Sequence, residues 1–363
     1  MKIWIDFRFF KKDDLYSLFL LTVLRTFSLN NKFKIVIYLN TEVDKEFFDF
    51  SCELKIVKEK QWNIIDDFLI SSKYKKEKFD MMIFFNEYKP ILYKKNYIIV
   101  IQDLQKVLYW AFKSTIAKHY YLKLIEQNLK SSKKVICFNK QILSDINERF
   151  NIEENKISVI NGFFGFDDFN LNKELKKQLN IKEKYKIEWD YLIYDLSNSE
   201  VKNLEKIFLA LKNLKDEWTI LKLFVLWEKN SENIEFRKVV LDYKISDLVF
   251  FVWDVEIEYL QFYYKQSLWV VYPNIYDAFP FGLNNAVIYN IPILTSDSIT
   301  MRDLFWDKIE YFNILSNTDT YKSLINFTSN NKKNINYSDI IAIDSDKEYV
   351  KKLEKVIWEL LLN

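Results

Sequence analysis

Short apolar runs, rich in β-branched and aromatic residues, alternate along this chain with longer stretches of helical period. "KIWIDF" (2–7), "KIVIYL" (34–39), "MMIFF" (81–85), "YIIVI" (97–101), "KVICF" (134–138) and "ISVI" (157–160) read as strands. Helical patterns over 13–28, 115–130 and 140–149 lie between them. That alternation predicts an α/β fold, a parallel sheet with helices on both faces. A lysine-rich stretch, "NLNKELKKQLNIKEKYKIEWD" (170–190), then interrupts it.

Beyond the interruption the pattern restarts. "YLIYDL" (191–196), "TILKLFVL" (219–226), "LVFFV" (248–252), "LWVVYP" (268–273) and "PILTS" (292–296) are strands. Helices are expected over 199–214, about 232–243, 256–265 and near 283–289. In the first, Val201, Leu204, Ile207, Phe208, Leu211 and Leu214 follow i, i+3, i+4 spacing, a core stripe. "NNKKNINYSD" (330–339) reads as a loop. The expected organisation is a Rossmann-like domain over 1–168, a linker over 169–187 and a second Rossmann-like domain over 188–345. An amphipathic helix over 346–363 is expected to pack back on the first domain. Two such halves face a cleft, with ligands beyond the carboxyl ends of the strands.

Composition narrows the chemistry. The 363 residues carry 53 Lys and Arg against 51 Asp and Glu, so no dedicated nucleic-acid surface is expected. A single histidine, His119, nearly excludes a His-dependent zinc site or a Ser-His-Asp triad. His119 itself reads as a surface or packing residue on a helix. Cys52 and Cys137, far apart, imply a reducing compartment and no disulfide framework. Charges at Asp6 and Arg8 interrupt the N-terminus, so it is not read as a signal peptide. The most apolar stretch, 15–29, is too short to span a bilayer and reads as a buried helix.

One compositional conflict remains. Lys, Asn, Ile, Phe and Tyr abound, the mark of an AT-rich gene, and only 3 glycines occur where about 25 are expected. Low GC content does not account for 10 tryptophans, whose standard codon is G-rich. A codon UGA that means glycine in some genetic codes and tryptophan in others accounts for both. Trp4, Trp227, Trp253, Trp269 and Trp306 are the candidate glycines on this reading; Trp227 and Trp253 end strand-like runs, where a chain often needs a positive φ.

The stretch "YPNIYDAFPFGLNNAVIYNIPILTS" (272–296) resembles, without gaps, the P-S-x-x-E-G-F-G-L-P-x-L-E-A-x-A-x-G-x-P-V pattern of retaining glycosyltransferases of family 4. Three further segments resemble that family in order: "IIVIQDL", "KKVICFNKQILSDINERFNIEENKISVINGFF" and "YLIYDLSNSEVKNLEKIFLAL". The resemblance implies a GT-B fold and transfer of a sugar from a nucleotide-diphosphate donor to a glycan or lipid-linked acceptor. It also implies cell-envelope polysaccharide synthesis, at the cytoplasmic face of the membrane. Its members commonly carry glycine at the positions of Trp4, Trp227 and Trp253.

The resemblance assigns residues as well. The paired glutamates fall on Asp277, near the donor sugar, and Asn285, near the ribose hydroxyls. Lys202 matches the donor-phosphate lysine; a companion arginine would fall on Ser197 or Val201. Gly282, flanked by Phe281 and Leu283, stands where a helix start would let the backbone approach the diphosphate. Gln102 replaces a frequent histidine, and Asp103 keeps its partner. No metal or other cofactor is implied; Asp44, Asp66, Asp67, Asp167 and Asp168 read as loop or cap residues. A degenerate member that binds a nucleotide sugar or a partner transferase without turnover is the alternative, favoured by Asp277, Asn285 and Gln102. A phosphorylase or epimerase of the same fold is a further one.

Overall fold

The computed structural model describes the chain except residues 12–13, 31, 41–44, 62, 105–114, 167–179, 187, 189, 196–202, 228–233, 254, 256, 277, 330–334, 344 and 363. It divides into two compact units, Met1–Phe163 with Asp344–Asn363, and Phe164–Ile343.

The first unit holds a seven-stranded sheet. Its strands are β1 (Lys2–Asp6), β2 (Lys34–Leu39), β3 (Glu53–Ile56), β4 (Met81–Phe84), β5 (Tyr97–Ile101), β6 (Lys134–Cys137) and β7 (Ile157–Val159). They lie in the order β3-β2-β1-β4-β5-β6-β7 and every pairing is parallel. β4 and β5 are buried along their whole length, which is why they read as unbroken apolar runs. β3 was invisible to the pattern. It is an edge strand, half-buried, with charged residues at two of its four positions.

The helix Leu15–Leu29 is buried nearly all round. Asp14 caps it, accepting from the Ser17 backbone N–H at 2.8 Å. Against it packs the helix Asp346–Leu362. Tyr349 meets Phe19 edge-on at 5.5 Å, and Glu354 takes Lys32 Nζ at 3.1 Å and the Asn30 amide. The helix Ile64–Lys76 is a second element the pattern did not reveal, because Ile65, Phe68 and Leu69 are exposed on it. Asp66 and Asp67, expected in a loop or cap, lie in its first turn.

The second unit holds a six-stranded parallel sheet in the order β10-β9-β8-β11-β12-β13. Its strands are β8 (Tyr191–Asp195), β9 (Lys222–Trp227), β10 (Val249–Trp253), β11 (Trp269–Tyr272), β12 (Ile293–Ser296) and β13 (Glu310–Phe312). Leu204, Ile207, Phe208, Leu211 and Leu214 of the helix Leu204–Asp216 are buried in its core, as their spacing predicts. Ser338 and Asp339, expected in a loop, instead open the helix Ser338–Ile343.

Candidate functional site

In an open parallel sheet the chain leaves neighbouring strands in opposite directions at one point, and a crevice opens there beyond the carboxyl ends. Strand order puts that point between β1 and β4 in the first unit, and between β8 and β11 in the second.

At the first point lies a cavity of about 540 Å³. Residues just past four strand ends line it: Arg8 after β1, Asn40 after β2, Asn86 and Glu87 after β4, and Gln102 and Asp103 after β5. Gln102 and Asp103, singled out from "IQDL", are therefore together and half-buried.

The rest of this lining was not legible as a site. Asp6 and Arg8 are fully buried at the end of β1. Arg8 Nε donates to Asp6 Oδ1 at 2.9 Å and Nη2 to Oδ2 at 2.7 Å, a two-pronged pair. Arg8 Nη1 donates to the Glu59 carbonyl at 3.1 Å. Burial lowers the guanidinium pKa, but the Asp6 carboxylate beside it, together with Tyr74 and Tyr88, holds it above its ordinary value. From this pair a chain of amides runs outward. Gln61 Nε2 donates to Asp6 Oδ1 at 3.4 Å, and Asn86 Nδ2 donates to Gln61 Oε1 at 2.8 Å. Glu87 is held by the Tyr121 hydroxyl at 2.7 Å. Asp14, also on the lining, has its carboxyl pushed up by burial against the hydrogen bonds from Ser17. The one sequence signal was a pair of charges directly after a buried apolar run.

At the second point Asp195 ends β8, buried. Tyr264, on the helix Ile257–Gln266, donates to Asp195 Oδ2 at 2.8 Å, and its hydroxyl lies 3.3 Å from the Gly282 carbonyl. Asn274, just past β11, is buried and lies 3.4 Å from the Tyr194 hydroxyl. Gly282 is in the single turn Phe281–Leu283, followed by the five-residue helix Asn284–Ile288. A Cβ on Gly282 would meet Tyr272 Cε2 at 3.5 Å, an ordinary contact, so its own backbone does not demand glycine. Asn285 is buried. Phe281 and Leu283 are buried too, Phe281 against Phe279 and Phe166. Asn284, which the sequence did not single out, ties this turn to the preceding loop. Its Oδ1 accepts from the Gly165 N–H at 2.9 Å and its Nδ2 donates to the Phe166 carbonyl at 3.4 Å. Lys202, Ser197 and Asp277 lie outside the described residues, as do Asp44, Asp167 and Asp168.

Among the described residues, no group of three or more His, Cys, Asp and Glu side chains is arranged to hold a metal ion. Nor is any described helix long and apolar enough to cross a membrane. Cys52 and Cys137 are free thiols, and His119 is exposed, its Nδ1 2.8 Å from the Thr115 carbonyl.

Residues 172–334 match the family model of glycosyl transferases group 1. The chain is 25% identical over 224 residues to the O-antigen chain mannosyltransferase RfbU of Salmonella typhimurium. That alignment covers 62% of this chain and 58% of the relative, so it spans less than two thirds of the relative's length. Sucrose-phosphate synthase from Thermosynechococcus elongatus superposes with a TM-score of 0.75 at 11% identity, over 100% of this chain and 99% of that one. The Anabaena protein HepE, solved with UDP-glucose, superposes with a TM-score of 0.70 at 11% identity, over 99% of each chain. WaaG, a glycosyltransferase involved in lipopolysaccharide biosynthesis, gives 0.65 at 13% identity over 97% of this chain and 94% of its own. The two parallel-sheet units have the GT-B fold, and residues 172–334 are similar to the group 1 glycosyl transferases.

Proposed function

We propose that the protein is a retaining glycosyltransferase that moves a sugar from a nucleotide-diphosphate donor to a glycan or lipid-linked acceptor, in cell-envelope polysaccharide synthesis. The observation that supports this most is a coincidence of position. The strand-order crevice of the first unit holds Gln102 and Asp103, and that of the second adjoins the turn carrying Gly282, followed by the helix carrying Asn285. The match to a mannosyltransferase of O-antigen chains supports a hexose donor and an envelope glycan.

In this reading the bond from the anomeric carbon to the diphosphate breaks, its electron pair leaving with the diphosphate; the acceptor oxygen takes its place and gives its proton to the departing diphosphate. Negative charge grows on the departing diphosphate and must be met by fixed positive groups. The helix Asn284–Ile288 is under two turns long, so its dipole is small and the ammonium of Lys202 carries most of that task. Asp277 sits near the donor sugar, and Asn285, able to donate and accept, takes the ribose hydroxyls. The first cavity takes the acceptor. Its carboxylates and amides, Glu87, Asp103, Asn86 and Gln102, can bond sugar hydroxyls in both senses, and its arginine is already neutralised by Asp6. No divalent cation is required. A lipid-linked acceptor would bring the protein to the inner face of the cell membrane.

A panel of UDP-, GDP- and dTDP-sugars in a thermal-shift assay identifies the donor, because a ligand that binds only the native state raises the midpoint. Transfer is then followed by mass spectrometry, with Lys202→Ala as the control. We expect Lys202→Ala to lower turnover by roughly 10²–10³-fold, the usual loss on removing one charge-stabilising group. Turnover within threefold of the parent would overturn the assignment of Lys202. The second reading, a binder without turnover, rests on Asp277 and Asn285 standing where the similar family carries glutamates. It is the outcome if a donor raises the midpoint and neither transfer nor hydrolysis follows.

A further inference from the structure

We propose that positions 218, 269 and 306 are glycine in the living protein, their codons being UGA read as glycine. Composition raised this for Trp269 and Trp306; the backbone now carries it and adds Trp218.

Trp306 follows the helix Ile299–Phe305 with φ 50° and ψ −116°. This is not the left-handed helical well that Asn151 occupies at φ 46° and ψ 59°. It is the first central position of a type II′ turn, where a Cβ collides with the backbone and glycine is the standard residue. The turn is closed by the Lys308 N–H on the Phe305 carbonyl at 2.9 Å. Two more bonds pin residue 306 itself. Its N–H reaches the Arg302 carbonyl at 3.0 Å, and its carbonyl accepts the Tyr311 hydroxyl at 2.6 Å. The conformation is thus set by bonds that the side chain does not make.

Trp218 stands just past the helix Leu204–Asp216 at φ 64°. The Thr219 N–H reaches the Leu214 carbonyl at 2.9 Å and the Trp218 N–H the Lys215 carbonyl at 3.0 Å. Those two bonds define the Schellman closure, whose left-handed residue is most often glycine. The indole is 94% exposed, so no burial offsets the strain. Two other closures with the same bonds put Lys244 and Asn290 there, both residues that AT-rich codons favour. A tryptophan has no such excuse.

Trp269 gives an independent sign from packing. It is buried in the middle of the second core, and its indole N–H has no partner. Its ring centroid lies 3.7 Å from that of Phe327 at a 38° tilt. Aromatic pairs settle at about 4.5–7 Å, and a buried indole N–H usually finds an acceptor. Trp253 is different: it is half-exposed on the edge strand β10, with Arg237 4.6 Å above its ring.

Two measurements test the proposal. Tryptic peptides of the protein from its own cells, covering 216–222 and 303–308, should carry the glycine mass at 218 and 306, and the gene should read UGA at 218, 269 and 306. The tryptophan mass, or UGG at these codons, overturns it. Separately, Trp306→Gly made in a standard host should raise the thermal midpoint by roughly 2–12 °C, since a residue in a sparsely allowed backbone region is being relieved. Trp306→Ala keeps a Cβ and should recover less than half of that rise. Equal recovery by alanine, or a fall with glycine, shows that the backbone does not call for glycine there and overturns it.

Discussion

Replacing Arg8 by methionine tests whether the first cavity rests on a buried ion pair. Asp6 and Arg8 are both 0% exposed, joined by bonds of 2.9 and 2.7 Å, and Arg8 also holds the Glu59 carbonyl. Methionine fills similar space but leaves the Asp6 carboxylate charged, buried and without its cation. Removing one partner of such a pair typically costs about 3–5 kcal/mol. For a unit of this size that is a fall of roughly 6–20 °C in its thermal midpoint. The double variant Asp6→Leu with Arg8→Met removes both charges, and buried pairs replaced by apolar residues are often neutral or stabilising. The assay is urea unfolding of the full chain, followed by circular dichroism, on the parent, both single variants and the double variant. We expect both single variants to fall well below the parent and the double variant to recover most of the loss. An Arg8→Met loss under about 1 kcal/mol, the range of exposed pairs, would refute the view that this pair is desolvated and structural.

Two further outcomes follow from single side chains. Lys89 is buried, its Nζ donating to the Pro90 and Tyr93 carbonyls, and burial pulls its pKa down to about 8. Between that value and the ordinary 10.5 the unfolded chain holds a proton that the folded one has released. Stability should therefore rise with pH across that window, by at most about 3 kcal/mol, and Lys89→Met should flatten the rise in urea titrations. Asn284→Leu deprives the Gly165 N–H and the Phe166 carbonyl of their partner and should destabilise the second unit by roughly 1–3 kcal/mol. An unchanged urea midpoint for Asn284→Leu would mean that the tie between the 165–166 loop and the 281–288 segment is dispensable.

Strands buried on both faces were plain in the chain because burial itself selects apolar residues, so β1, β4, β5, β8 and β11 could be read one by one. The structure adds caps at Asp14 and Asn139, each a polar residue before a helix, which the pattern of apolar positions did not single out. β3 and the helix Ile64–Lys76 left no such trace, since edge and surface elements need not be apolar on a fixed period. The family pattern pointed to Gln102, Asp103, Gly282 and Asn285. It could not point to Arg8 and Asn86, which come together because β1 and β4 are neighbours in the sheet, nor to Gln61, which joins them from the segment after β3. Asp195 and Tyr264 meet only because β8 and the helix Ile257–Gln266 pack together across 69 residues of sequence.

The amino-acid order alone determined two runs of βα units, the family pattern at 272–296, and an imbalance of tryptophan over glycine. Tertiary structure alone decided which strand ends adjoin, that Asp6 and Arg8 form a dry pair beside a cavity, and that residues 218 and 306 take backbones of positive φ. The reason is one of range. Periodicity and caps act over a few residues, whereas strand order, burial of charge and the path of a turn are settled by contacts between segments far apart in the chain.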